Sequence, residues 1–381
     1  MSSNNVVIIG AGPAGIATAL TLQRFGCKCT VVEEKSFPRN KACGGLLTSK
    51  SMSLLRILLD DDDRLNENSK ALYKVYVSFK KKDLFSYECN TPFFSASRWF
   101  LDNELVTQFK EKQGVIFENC KCSYIDQEES SILTTQGKLK YDVLVVANGA
   151  DQKIRGLESS QIITGMGGIG TVRTNKYRTD GISISVGYLN QGYSWIFPQR
   201  DDSFNVGFAG NIHRTKSFSA FFSEIMDEYG LKQNDICWGR VPISQVPVKE
   251  TPHNVFTIGS SNRMVDSLTG EGIFFALLSG IYTGLVLADR ISHAKYQQLI
   301  RHIKFLVRGG DFSAGILWKL NLLPVTLKLG AHLKKLDAHM TDNLISNYNY
   351  NHYSALFAPV VTYLNVRTPS EKIINELSRW V

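Results

Sequence analysis

Three runs of the chain predict an α/β protein built on a parallel sheet. The first is Val6–Gly15, VVIIGAGPAG, an unbroken apolar strand entering a turn with glycines at 10, 12 and 15. The second is the strand Cys29–Val32, closed by Glu33, which lies 18 residues beyond Gly15. The third is Tyr141–Ala147, YDVLVVA, apolar at nearly every position, as strands covered on both faces are. In this order they describe a Rossmann-type unit that holds a dinucleotide.

Each part has its physical reason. Gly10 lets the chain turn tightly, Gly12 brings backbone N–H groups close to a pyrophosphate, and Gly15 lets the next helix pack on the strand. Ile16, Ala19, Leu20 and Leu22 supply the helix period before the turn at Gly26. Glu33 reaches the two hydroxyls of an adenosine ribose, which favours NAD or FAD over NADP. Asp60–Asp63 reads as a solvated acidic loop, and Tyr73–Cys89 as a hairpin turning at Lys80–Asp83. Helical spacing returns at Trp99, Leu101, Leu105 and Phe109. Alternation at Ile182/Ile184/Val186, Trp195/Phe197 and Phe204/Val206/Phe208 marks a second sheet. Val255–Gly259 is another short buried strand, leading to a helix over about Ile273–Ile291. The nucleotide-binding domain is therefore expected in three pieces, 1–70, 97–160 and 250–300. A β-rich substrate domain fills 71–96 and 161–249, and 301–381 forms a helical C-terminal region.

Composition fits this scheme: 381 residues, 43% hydrophobic and 20% charged, suit a globular chain of two domains or one large discontinuous one. The first strand begins at Val6, leaving no room for a targeting peptide, so a cytoplasmic location is expected. A net charge of +8 suits an acidic protein partner, an anionic membrane or a phosphorylated substrate. No Lys/Arg block is interleaved with aromatics, so nucleic acid is not an expected partner. Seven cysteines lack CxxC spacing, and Cys27/Cys29 and Cys120/Cys122 read as strand-core residues; neither a disulfide framework nor a metal is expected. Phe312–Leu333 is apolar but broken by Lys319, Pro324, Lys328 and Gly330, so it reads as core-capping helix or as a peripheral membrane or partner surface. His332 and His339 read as structural.

Three later motifs narrow the dinucleotide to FAD. Lys41-Ala42-Cys43-Gly44-Gly45 follows the ribose site, and paired glycines let backbone lie against a flat ring. In Gly192–Pro198, GYSWIFP, alternation sends Tyr193, Trp195 and Phe197 to one face as an aromatic wall. Leu268–Ile273, LTGEGI, enters a helix whose N-terminus would stabilise the negative charge of a reduced flavin. Ordered as GAGPAG, Glu33, KACGG, Arg98 with Asp102 (SRWFLD), YxWxFP and LTGEGI, the chain resembles the geranylgeranyl reductase branch of the FAD-dependent oxidoreductases over about residues 5–290. That branch is related to flavin halogenases and aromatic hydroxylases.

The resemblance implies a glutathione-reductase-like FAD domain. It implies FAD bound by Gly10, Gly12, Gly15, Glu33 and Arg98, with Ala14, Glu34, Ser260 and Ile273 in the same set. The isoalloxazine ring is expected near Cys43, Gly44, Gly45, Gly270 and Gly272, and Cys43, Tyr193 and Trp195 are the candidate catalytic residues. Departures bear on function. The family's Gly-Asp stands as Gly259-Ser260, and its DGxxSxxR as Asn148–Arg155, retaining only Gly149 and Arg155. Direct reduction by NAD(P)H is accordingly in doubt. Three readings remain open. The first is oxygen transfer to an aromatic group, such as a tryptophan of a partner quinoprotein oxidase precursor, as in LodB/GoxB-type maturation flavoproteins. The second is reduction of a prenyl C=C bond in an apolar substrate, with Cys43 as a proton source. The third is a flavin-fold scaffold without activity.

Overall fold

In a computed structural model of the chain, the described residues are 5–60, 62–150, 154–157, 164–215, 218–242, 251–267, 269–319 and 377. The N-terminal elements are β1 (Val6–Ile9), α1 (Pro13–Arg24), β2 (Cys29–Val32), β3 (Leu46–Leu47), α2 (Ser49–Leu58) and α3 (Asp62–Glu67). Then come β4 (Lys70–Phe79), β5 (Lys82–Ser95), α4 (Arg98–Glu111), β6 (Val115–Phe117), β7 (Cys122–Asp126), β8 (Ser131–Thr134), β9 (Gly137–Lys140) and β10 (Val143–Val146). The second half holds β11 (Thr164–Arg173), β12 (Gly181–Val186), β13 (Tyr193–Pro198), β14 (Ser203–Gly210), α5 (Phe218–Tyr229) and β15 (Cys237–Pro242). β16 (Val255–Thr257), α6 (Ile273–Leu287) and α7 (His293–Lys319) follow.

The five-stranded sheet runs β16-β10-β1-β2-β6, and every pair in it is parallel. Alternation divides β1 between two cores: Val6 and Ile8 face α1, α4 and α6, while Val7 and Ile9 face the small β7-β8-β9 sheet. α6 is buried on all sides, and its glycines let α1 approach closely. A Cβ on Gly280 would stand 2.3 Å from the Ala14 carbonyl oxygen, and one on Gly284 2.5 Å from Thr21 Cβ. Thr18 Oγ1 donates to the Gly280 carbonyl across that contact. Leu377, near the C-terminus, is fully buried in the same core.

The second sheet has eight strands, β15-β11-β14-β13-β12-β4-β5-β3. Its middle is a parallel pair, β4 with β12, flanked by antiparallel ladders. The fold is thus the expected mixed α/β architecture, with a parallel nucleotide-type sheet and a large curled sheet.

Several local expectations are corrected. The acidic run is not a loop throughout, because α3 spans Asp62–Glu67, and acidic sequence favours a helix N-terminus. Asp60 just before it pairs with Lys112 and Arg24. The hairpin is longer at both ends than Tyr73–Cys89 and turns on Lys80 and Lys81, both at positive φ. The helix expected to reach Ile291 stops at Leu287, where Asp289 adopts φ 55°, and a new helix starts at His293. Residues 320–339, including His332, His339 and most of the apolar run, lie outside the described residues, as does Leu268 of LTGEGI. Among the described residues no helix is long and apolar enough to cross a membrane.

Candidate active site

The three glycines occupy three different environments. Gly10 has φ 99°, a turn that disfavours any side chain, and its N–H bonds Val32 O at 2.8 Å. Gly15 is wedged against the turn: a Cβ there would lie 1.9 Å from Gly10 O. Gly12 instead faces open space, with nothing within 4 Å of where its Cβ would stand. It is also the N-cap of α1, makes no side-chain cap, and is followed by no acidic residue in the first turn. The leading N–H groups of α1 are therefore left for an anion, which is the position a pyrophosphate needs. Ala14 is buried in this first turn, against the 259–262 turn.

Glu33 is buried and held in place by backbone. Its Oε2 accepts from Ala11 N–H at 2.8 Å and its Oε1 from Lys35 N–H at 3.1 Å. A carboxylate fixed beside the glycine turn retains lone pairs for ribose hydroxyls. Glu34 points elsewhere, pairing with Lys121 Nζ at 2.8 Å.

An ion network runs from this end of the site to the other. Asp102, with its side chain fully buried, binds Arg98 bidentately at 2.7 and 2.7 Å, and Arg39 Nη1 at 3.2 Å. Arg39 in turn lies 3.8 Å from Glu33. Its Nε is buried without a hydrogen-bond partner, an orphan donor that a polar ligand would satisfy. At the far end, Arg98 meets the Cys43 thiol. Burial opposes the charge of Arg98, but Asp102 and Cys43 outweigh it and push its pKa up.

The 41–45 run threads between the two sheets. Gly45, at φ 67°, accepts from Ala96 N–H at 3.0 Å, which seats the run beside the start of α4. Gly44 packs against the aromatic wall: a Cβ would stand 2.8 Å from Phe197 and 3.2 Å from Trp195 Nε1. Trp195 and Phe197 stack at 5.9 Å between ring centroids, and Tyr193 meets Trp195 edge-on at 5.8 Å. Trp195 Nε1 donates to Asn205 Oδ1 at 2.8 Å, and Asn205 Nδ2 donates back to the Cys43 carbonyl at 3.4 Å. The wall and the Cys43 bend are therefore one hydrogen-bonded unit.

The 266–272 loop closes the same region. Tyr193 Oη donates to the Thr269 carbonyl, and Gly270 turns at φ 73° beside it. Burial, then Cys43 and Asp266, raise the Tyr193 pKa, so its phenol stays protonated. Asp266 Oδ1 accepts from Thr269 N–H at 2.7 Å and Oγ1 at 2.9 Å. Gly272 caps α6, and Ile273 is its buried first residue. Ser260 sits in the 3-10 turn 259–262, next to Ser261, whose Oγ accepts from Gly149 N–H at 3.1 Å. The two departures from the family pattern, Asn148 and Ser260, thus each stand next in sequence to one member of the hydrogen-bonded pair Gly149 and Ser261.

Most sequence-derived candidates converge here, and Glu34 does not. Arg39, Asn205 and Lys50 were missed. Arg39 had a readable signal, a cation six residues past Glu33; burial of Lys50 in α2 and the Asn205 bridge depend on tertiary contacts.

Comparison with known proteins agrees with the geometry. Residues 4–160 match the pyridine nucleotide-disulphide oxidoreductase family. A digeranylgeranylglycerophospholipid reductase of Thermoplasma acidophilum is 22% identical over 342 residues, covering 81% of this chain and 84% of that one. The crystal structure of a geranylgeranyl bacteriochlorophyll reductase-like protein from Thermoplasma acidophilum superposes with a TM-score of 0.68 at 15% identity, covering 99% of each chain. QhpG, a peptidyl tryptophan dihydroxylase essential for tryptophylquinone cofactor biogenesis, gives a TM-score of 0.62 at 17% identity, over 82% of this chain and 74% of that one. With an anion seat at α1, a fixed carboxylate at Glu33 and these similarities over both halves, the chain is an FAD-dependent oxidoreductase.

Proposed function

We propose that this oxidoreductase reduces a C=C bond of an isoprenoid-type apolar substrate, with Cys43 delivering the proton. The observation that carries the reading is the Cys43 thiol placed against the buried Arg98 guanidinium, at the bend that packs on Trp195 and Phe197. FAD, when bound and reduced, supplies a hydride to one carbon of the double bond. Gly10, Gly12, Gly15, Glu33 and Arg39 bind its adenosine and pyrophosphate end, and the 43–45 and 270–272 turns hold the ring. Cys43 gives the proton to the other carbon, and Arg98 faces the thiolate that remains. Tyr193, Trp195 and Phe197 align the apolar chain and exclude water. The digeranylgeranylglycerophospholipid reductase similarity supports an isoprenoid lipid as the substrate class.

Oxygen transfer to a partner's tryptophan is the second reading, favoured by the same aromatic wall. Cys43 counts against it: a thiol at an oxygen-activating centre is exposed to oxidation through sulfenic to sulfinic acid.

The test incubates flavin-loaded, dithionite-reduced protein anaerobically with a geranylgeranyl ether phospholipid. Mass spectrometry is expected to find two hydrogens gained per double bond. Oxygen-dependent modification of a tryptophan peptide, with no change in the lipid, would instead establish the second reading. Cys43→Ser is expected to keep FAD and lose about 100-fold in turnover, the usual scale for one general acid. Trp195→Ala is expected to keep FAD and raise KM for the lipid; full activity in both variants would remove the wall and the thiol from the mechanism.

A further inference from the structure

Lys50 is a buried cation with no part in that mechanism. It lies in α2, is 6% exposed, and places Nζ 4.7 Å from the centroid of Phe274, the second residue of α6. The carboxylates of Glu271 and Asp266 act on it from the 266–272 loop. Glu271 is drawn inward to the same place, its Oε1 accepting from Thr48 Oγ1 at 2.7 Å, and Thr48 is the N-cap of α2. Glu271 Oε2 is buried with no hydrogen-bond partner, so a nearby cation lowers the cost of its charge. Two carboxylates at the start of α6 would otherwise oppose negative charge on a group held there.

We propose that Lys50 is a positioning residue that balances Asp266 and Glu271, and so sets the reduction potential of the flavin bound against the 270–272 turn. This rests on the FAD reading and adds a role to the loop rather than to the reacting atoms. Burial lowers the Lys50 pKa, and the Glu271 and Asp266 carboxylates oppose that shift only in part. Two-electron reduction adds negative charge to the ring system. Removing the nearby cation therefore disfavours reduction, and removing a nearby anion favours it.

The experiment measures midpoint potentials of flavin-loaded wild type, Lys50→Met, Glu271→Gln, the double variant and Lys50→Arg by dye equilibration. Lys50→Met is expected to weaken reduction at least tenfold, about 30 mV more negative for a two-electron couple. Glu271→Gln is expected to move the potential the other way, the double variant to return toward wild type, and Lys50→Arg to stay near it. A purely structural role lowers melting temperature or flavin content without opposite signs that cancel. Unmoved potentials, or shifts of one sign in both single variants, would overturn the proposal. If Lys50→Met does not fold, an unshifted Glu271→Gln is enough to overturn it and a positive shift supports it. A wild type that takes up no flavin would sink the FAD reading instead, which flavin content reports separately.

Discussion

Gly15→Ala is expected to cost the protein much of its fold, whereas Gly12→Val is expected to cost it only its flavin. The added methyl at 15 would stand 1.9 Å from Gly10 O and 3.3 Å from Ala147 Cβ, so α1 must lift from β1 and β10. Overpacking of this kind costs about 1–3 kcal/mol and more where backbone must move, against a total stability of about 5–15 kcal/mol. A large drop in melting temperature and in soluble yield should follow. At Gly12 the backbone is extended, φ −76° and ψ 179°, which any residue adopts, and the side chain would enter open space. The flavin-free Gly12→Val protein should melt with flavin-free wild type, while flavin absorbance after loading disappears. A Gly12→Val protein that kept its flavin would show that no pyrophosphate sits at the α1 N-terminus.

The second large effect is expected at Asp102. Its carboxylate is the shared partner of Arg98 and Arg39, whose side chains are 7% and 11% exposed. Asp102→Ala leaves two guanidinium groups buried without it, and breaking a buried pair from one side costs about 3–5 kcal/mol. Urea denaturation should show the loss, and flavin binding should fall with it, because Arg39 also touches Glu33. A cost under about 1 kcal/mol would mean that solvent reaches the trio and screens it.

The sequence makes the nucleotide end legible because its constraints are local. The roles of Gly10, Gly12 and Gly15 follow from one strand–turn–helix unit, and β1, β2, β10 and β16 announce themselves as short apolar runs. Alternation likewise reveals β12, β13 and β14. What periodicity does not carry is the partner across a long loop. That β4 pairs in parallel with β12, or that Leu46–Leu47 extends the large sheet, depends on chain segments brought together by topology. The same holds for the site. Cys43, Tyr193 and Trp195 were visible as motif members, but the link from Trp195 through Asn205 to the Cys43 carbonyl joins the paired strands β13 and β14 to a segment 162 residues away. Lys50 looks from sequence like any solvent-facing helix lysine, and only α6 above it makes it a buried ion.

The interleaving of the two sheets has a consequence for how the protein is made. β1, β2, β6 and β10 leave the ribosome before β16, which completes their sheet, and before α6, whose glycines receive α1. The large sheet is likewise begun by β3–β5 and finished only by β15. At ordinary elongation rates the interval from β10 to the end of α6 is roughly 10–30 s, during which apolar surface on α1 and an open sheet edge stay uncovered. Residues 4–160, the segment that matches the pyridine nucleotide-disulphide oxidoreductase family, therefore hold four of the five parallel strands and one side of the α1–α6 pair. Expressed alone, that segment is expected to aggregate, and nascent full-length chains are expected to engage chaperones until α6 docks.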